Sequence, residues 1–189
     1  MSDKMLIDHC SPTLAGLKSG SMFSCQADSR EEIYSDIRKV NDILVNKGIR
    51  VLPLKYYSNR MLIYVYRPEK LEIDLKNNIA CELLSKLGYD LSSPEKSVVR
   101  LIERLNENND FPHEVGLFLS YPPEDVDAFI NNHAEGFKAV GCWKVYFNVE
   151  NALKTFEKYK KCTNIYTRKF SMGDTLENLT VSDKFMISA

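Results

Sequence analysis

Two spacings of apolar residues alternate along most of this chain, one repeating every three to four positions and one every second position or in short runs. Asp28 or Ser29 can cap a helix reaching Asn46, with Ile33, Ile37, Val40 and Leu44 on one face, and Gly48 supplies its stop. Ile49–Tyr56 and Met61–Arg67 follow, rich in β-branched and aromatic residues and joined by Tyr57-Ser58-Asn59-Arg60, which predicts a hairpin. Pro68 suits the first turn of a helix over Glu69 to Leu87, striped by Leu71, Leu75, Ile79, Leu83 or Leu84, and Leu87. Ser93-Pro94-Glu95 opens another, with Val98, Leu101, Ile102 and Leu105 inward and Asn108 and Asn109 at its end.

The apolar run Glu114–Leu119 predicts a strand that breaks at Tyr121-Pro122-Pro123, and Pro123–Asn132 resumes helical spacing through Val126, Phe129, Ile130 and His133. Cys142–Phe147 predicts a last strand with Trp143 as its core or rim anchor, and Val149–Lys161 a last long helix. Asp174 and Glu177 fit a capping box before a short helix with Leu176 and Leu179. Residues 1–28, punctuated by Pro12, Gly16 and Gly20, predict an irregular N-terminal strap that buries Leu14, Leu17, Met22 and Phe23. Strands 114–119 and 142–147, joined by a helix, would lie parallel through a right-handed crossover. The expected fold is α+β: a single mixed sheet of about four to five strands including the hairpin, packed with helices in one globular domain over residues 1–189.

Composition narrows the function classes. The 189 residues are 44% hydrophobic and 27% charged, as in an ordinary globular protein. The net charge of −1 creates no global field toward nucleic acid or acidic lipid. Lys55, Tyr56, Tyr57, Arg60, Tyr64, Tyr66, Arg67 and Lys70 interleave aromatics with cations around the hairpin, as a single-strand-binding face would. Tyrosine also packs cross-strand neighbours, and the balance argues against a nucleic-acid partner. No apolar run approaches the ~20 residues that span a bilayer. The opening MSDKMLIDHCSP carries charges where a signal peptide needs an apolar core, so a cytoplasmic location without membrane insertion is expected. The five cysteines include no Cys-x-x-Cys pair, which argues against a zinc ribbon or thioredoxin motif and for free thiols.

Candidate chemistry centres on Pro112-His113-Glu114. On a strand, His113 shares a face with Val115 and Leu117, while Glu114 shares the other with Gly116 and Phe118. Glu114 is then no orienting partner for His113, and burial would pair it with a cation or with several backbone N–H groups. The Tyr121-Pro122-Pro123 turn offers no phosphate cradle: it lacks glycine, prolines remove donors, and Glu124 and Asp125 repel anions. Neither a Walker loop nor G-x-G-x-x-G occurs. At His9-Cys10 the histidine could lower the thiol pKa, but two neighbours make only half a metal site, and no metal is assigned. The leading expectation is a binding or accessory protein for a small molecule or redox protein, with a pocket near His113, Glu114 and Tyr121 and with Cys10 close by. One alternative is a cysteine-dependent enzyme using Cys10 or Cys142 with His113 as base. Another is a structural or partner-docking module without a ligand. No residue pattern names a cofactor.

HCSPTLAGLKSGSMF, VLPLKYY, LIYVYRPEKL, FPHEVGLFLSYPPEDV and GCWKVYF followed by a helix together resemble the domain of unknown function 3793 family. The likeness spans nearly the whole chain. The family's hallmark is Pro-His-Glu followed by Leu-Gly-Tyr-Pro. Pro112, His113 and Glu114 match the first, and Leu119, Tyr121 and Pro122 the second, with Ser120 in place of glycine. The resemblance implies a bacterial protein of this length, typical of anaerobes, in whose cytosol thiol, iron or flavin-linked chemistry would be at home. It implies no particular activity.

Overall fold

The structure is a computed structural model describing residues 1–107 and 111–183. Its elements run α1 (Asp3–Leu14), β1 (Gly20–Gln26), α2 (Arg30–Leu44), β2 (Arg50–Tyr57), β3 (Arg60–Tyr66), α3 (Pro68–Leu75), α4 (Asn78–Lys86) and α5 (Pro94–Glu107). A 3-10 segment (His113–Leu119), α6 (Pro123–Asn131), β4 (Ala139–Val140), β5 (Lys144–Val145), α7 (Val149–Ser171) and α8 (Leu176–Leu179) follow. They gather into two compact units, Met1–Pro68 with the residues from Lys161 on, and Glu69–Lys160.

In the first unit, β3 lies between β1 and β2, antiparallel to both. The hairpin turns on Ser58 and Asn59, both at positive φ (45° and 57°), the backbone that matches strand twist in a two-residue loop. Pro53 is accommodated on the edge strand β2, where the register shifts before Lys55. The core joins Leu6, Ile7, Cys10 and Leu14 of α1 with Ile33, Ile37, Val40 and Leu44 of α2. Phe23, Val51, Ile63 and Val65 meet them from the sheet, and Leu176 and Leu179 from α8. Ser29 caps α2, its hydroxyl accepting from the Glu32 N–H at 3.1 Å. The helix ends with Gly48 in the left-handed region at φ 82°.

Residues 1–28 are therefore not an irregular strap. Leu6, Ile7, Cys10 and Leu14 form a helical stripe in α1, and Gly20–Gln26 is a strand of the sheet. Pro12 and Gly16 hide this because both usually interrupt helices. Pro12 falls in the last turn of α1, where losing one N–H donor shortens the ladder without ending it.

Arg67 is fully buried, and five acceptors meet its five N–H groups. Nε donates to Thr13 O (2.7 Å), Nη1 to Lys47 O (3.2 Å) and Asp183 Oδ1 (2.5 Å), and Nη2 to Leu14 O (2.8 Å) and Val181 O (2.7 Å). One guanidinium thus ties the end of α1, the turn after α2 and the segment after α8 together. Its charge survives burial only because every donor is matched.

The second unit holds most of α3, then α4–α6, the 3-10 segment, the β4–β5 ribbon and the first part of α7. A single four-to-five-stranded sheet is not what forms: the strands make one three-stranded sheet and one two-stranded ribbon. Residues 114–119 are helical rather than extended. Glu114 through Phe118 are all buried, so the run has no solvent-facing side, and a short run of that kind carries no period to separate strand from helix. Of 142–147, only Lys144 and Val145 pair, antiparallel to Ala139 and Val140, so segments 114–119 and 142–147 do not make a parallel crossover. The helix expected over Glu69–Leu87 is two, because Asn77 turns its side-chain oxygen onto the Ile79 (2.9 Å) and Ala80 (3.4 Å) N–H groups and caps a new start. α5 buries Val98, Leu101 and Leu105 as its spacing predicts, while Asn108 and Asn109 lie outside the described residues. α7 runs ten residues past the expected Lys161, to Ser171. The cap of α8 is Thr175, whose hydroxyl accepts from Asn178 N–H at 3.2 Å, rather than Asp174.

Candidate functional site

The second unit encloses a cavity of about 210 Å³. Pro112, extended at φ −66°, sets the start of the 3-10 segment that carries His113 and Gly116 onto one wall. Ser120 then reverses the chain in the left-handed region (φ 55°), and the Tyr121 N–H returns to Gly116 O at 3.0 Å. This reversal brings Tyr121 beside the segment before Pro123 begins α6, which supplies Val126 and Phe129. β5 and its flank supply Trp143 and Lys144.

The walls are aromatic and interlocked. His113 meets Phe129 edge-on (centroids 5.1 Å, 73°), Tyr121 tilts against Trp143 (5.1 Å), and Trp143 stands edge-on to Phe156 (4.5 Å, 78°). Glycine at 116 is required by space: a Cβ there would lie 2.8 Å from Val126 Cγ2 and 3.0 Å from Tyr121 Cδ2. Asp125 is buried at 3% exposure. Its Oδ2 accepts from Trp143 Nε1 (2.8 Å), and its Oδ1 from the Tyr146 (2.9 Å) and Phe147 (3.2 Å) N–H groups. Three N–H donors stabilise this carboxylate and fix the indole in the wall.

Lys144 is the cation on the lining. Its Nζ donates to Ala134 O at 2.9 Å and lies 4.7 Å from the Phe137 centroid and 5.6 Å from that of Phe129. It thereby pins the turn at His133 and Ala134, two non-glycine residues at positive φ (49° and 65°). Burial pushes the Tyr121 phenol up to about 12, with the Cys142 thiol adding to the shift, so Tyr121 is protonated at neutral pH.

Tyr121 also borders a second, more polar hollow of about 250 Å³, together with Asp74, Asn77, Leu117, Ser120 and Pro123. There the Ser120 hydroxyl donates to Asp74 Oδ2 at 2.8 Å.

Of the residues expected at the site, His113 and Tyr121 line the cavity together. Glu114 does not. It is buried in a separate network, where Oε1 accepts from the Tyr89 hydroxyl (2.9 Å) and pairs with Arg104 Nε. The 3-10 turn, rather than strand alternation, separates it from His113. Cys10 belongs to the core of the first unit at 0% exposure, and burial pushes its thiol far above the usual range. Its neighbour His9 is exposed and stacks on Phe23 (5.2 Å, 9°). Cys142 is exposed on the turn between β4 and β5, near Tyr121 and Tyr159, and outside the cavity lining. In the hairpin, Tyr64 and Tyr66 are buried and stacked on each other (4.8 Å, 1°), and Arg67 is buried, so these three present no face to bases.

Sequence reasoning missed Phe129, Lys144 and the structural role of Asp125. Phe129 lies on the apolar stripe of α6 and was legible only as core. Asp125 stands between Glu124 and Asp127 at the start of α6, and nothing in that local pattern separates the buried carboxylate from its neighbours. Among the described residues no group of three or more His, Cys, Asp or Glu side chains could hold a metal ion, and no helix is long and apolar enough to cross a membrane.

The family described as Protein of unknown function (DUF3793) matches residues 6–180. No curated protein and no solved structure matches the chain.

Proposed function

Because the chain belongs to the DUF3793 family, whose description assigns no activity, the reading must come from the site, and we propose that the protein binds a small, planar, largely apolar molecule. The observation that carries this reading is the cavity walled by His113, Tyr121, Phe129 and Trp143. Apolar pockets with a few fixed polar groups are the usual form of small-ligand sites. Its 210 Å³ suits a ligand of one or two rings, since an apolar cavity of roughly 150 Å³ already accepts benzene. Binding is favoured over catalysis because His113 abuts Phe129, Glu114 is engaged with Arg104 and Tyr89, and the Cys10 thiol is sealed in the other unit's core. The free state of all five cysteines supports a reducing, cytoplasmic setting, as in the bacterial cytosol implied by the family likeness.

The chain has a single tryptophan, so Trp143 emission reports on the wall directly. Titration with toluene is expected to give a saturable change. Val126→Phe, which fills the cavity from α6, is expected to abolish it while the far-ultraviolet circular dichroism stays that of the wild type. A non-saturable response, or the same response in Val126→Phe, overturns the reading.

A further inference from the structure

We propose that the polar hollow beside Tyr121 is the second half of the same site, and that the ligand is a primary arylalkylamine with its ring in the cavity and its ammonium at Asp74. The inference rests on the small-molecule reading above and adds the class of ligand. Tyr121 is the shared partition: it lines the aromatic cavity with His113 and Trp143, and the polar hollow with Asp74 and Ser120. A ligand filling both therefore needs an apolar ring joined by a short linker to a polar head.

The charges select the sign of that head. Asp74 is half-buried, accepts from the Ser120 hydroxyl, and forms no ion pair among the described residues. The nearest lysine in sequence, Lys76, is paired with Glu72. Asn77 has its side-chain oxygen committed to the α4 cap. Pro122 and Pro123 bring no N–H donors to the hollow, and Glu124 follows in the first turn of α6. An anion would find repulsion and few donors there, whereas an ammonium would find a carboxylate and the Tyr121 ring. The cation of the ring cavity, Lys144, is held by Ala134 O, Phe129 and Phe137 on the lining it shares with the Asp125 carboxylate. Lys144 nevertheless makes an arylalkyl carboxylate the fair competitor.

Calorimetric titration of the full chain with toluene, phenethylamine and phenylacetate separates these outcomes. Phenethylamine is expected to bind at least about tenfold more tightly than phenylacetate, the factor that roughly 1.4 kcal/mol of charge attraction produces. Asp74→Asn, whose amide oxygen can still accept from Ser120, is expected to erase most of that preference and to leave toluene binding unchanged. Asn77→Asp keeps a capping oxygen for α4 and adds a carboxylate to the hollow, so the preference should widen. Equal binding of amine and acid by the wild type, or a preference that survives Asp74→Asn, overturns the inference while toluene binding upholds the cavity itself. If toluene fails to bind as well, both the cavity reading and this one fall.

Discussion

Trp143 and Asp125 are joined by a 2.8 Å hydrogen bond from the indole N–H to a buried carboxylate oxygen. The other oxygen of Asp125 holds the backbone just past β5. One side chain on the first turn of α6 therefore sets both the orientation of the indole and the position of the strand that carries it. Asp125→Ala would leave three N–H groups unmatched, two of them buried, and a loss of about 3 kcal/mol is expected in urea unfolding. Trp143→Phe should cost less, about 1–2 kcal/mol, because the bond is lost while an aromatic ring still faces Phe156.

Glu114 is expected to govern stability rather than binding. Removing the buried member of a pair whose Arg104 is partly exposed leaves that cation unpaired, so Glu114→Ala should lower the unfolding free energy by about 3 kcal/mol. Glu114→Gln should cost less, since its amide oxygen can still accept from Tyr89. If folded Glu114→Gln protein binds toluene like the wild type, the network and the cavity are independent. A stability change under about 1 kcal/mol in Glu114→Ala would show the pair to be solvent-screened.

Ser120 occupies a left-handed position where the family resemblance places glycine, and its hydroxyl bonds Asp74. Ser120→Gly relieves the backbone but loses the bond, and the two effects are each about 1 kcal/mol, so the net change should stay within that amount. Ser120→Val loses the bond and places a β-branched side chain at positive φ. It is expected to cost about 2 kcal/mol or more, read from the shift in thermal midpoint.

The thiols should react in the order of their exposure. Iodoacetamide is expected to label Cys142 first in native protein and Cys10 only on the timescale of unfolding, because Cys10 is fully enclosed and its thiol is held protonated. Mass mapping of the alkylated peptides checks this order. Rapid labelling of Cys10 under native conditions would contradict its place on the buried face of α1.

Much of the helical content was readable because amphipathic stripes such as Ile33, Ile37, Val40 and Leu44 repeat often enough to define a period. The hairpin was equally legible, its two β-rich runs lying a tight turn apart. Residues 114–119 and 142–147 were not. The first is a brief run buried from Glu114 through Phe118, which erases the contrast between faces on which period depends; in the second only Lys144 and Val145 pair, and Cys142 and Phe147 stay exposed. The first helix was concealed by Pro12 and Gly16, whose breaking tendency α1 tolerates because tertiary burial of Leu6, Ile7, Cys10 and Leu14 outweighs local propensity.

The candidate site divides along the same line. Sequence alone determined that His113 and Tyr121 stand at the ends of a short apolar run, that the chain lacks phosphate-binding and zinc motifs, and that a buried Glu114 needs a cation or several backbone N–H groups. Only the tertiary structure decided that the cation is Arg104, that Cys10 is sealed in the first unit, and that Phe129, Trp143 and Lys144 complete the cavity wall. The physical reason is one of range. Spacing and capping act over a few residues and are written in the local pattern. Which side chain meets an unpaired charge or an open ring face depends on segments far apart in sequence, brought together by the burial of apolar surface, which is non-directional and leaves no local mark.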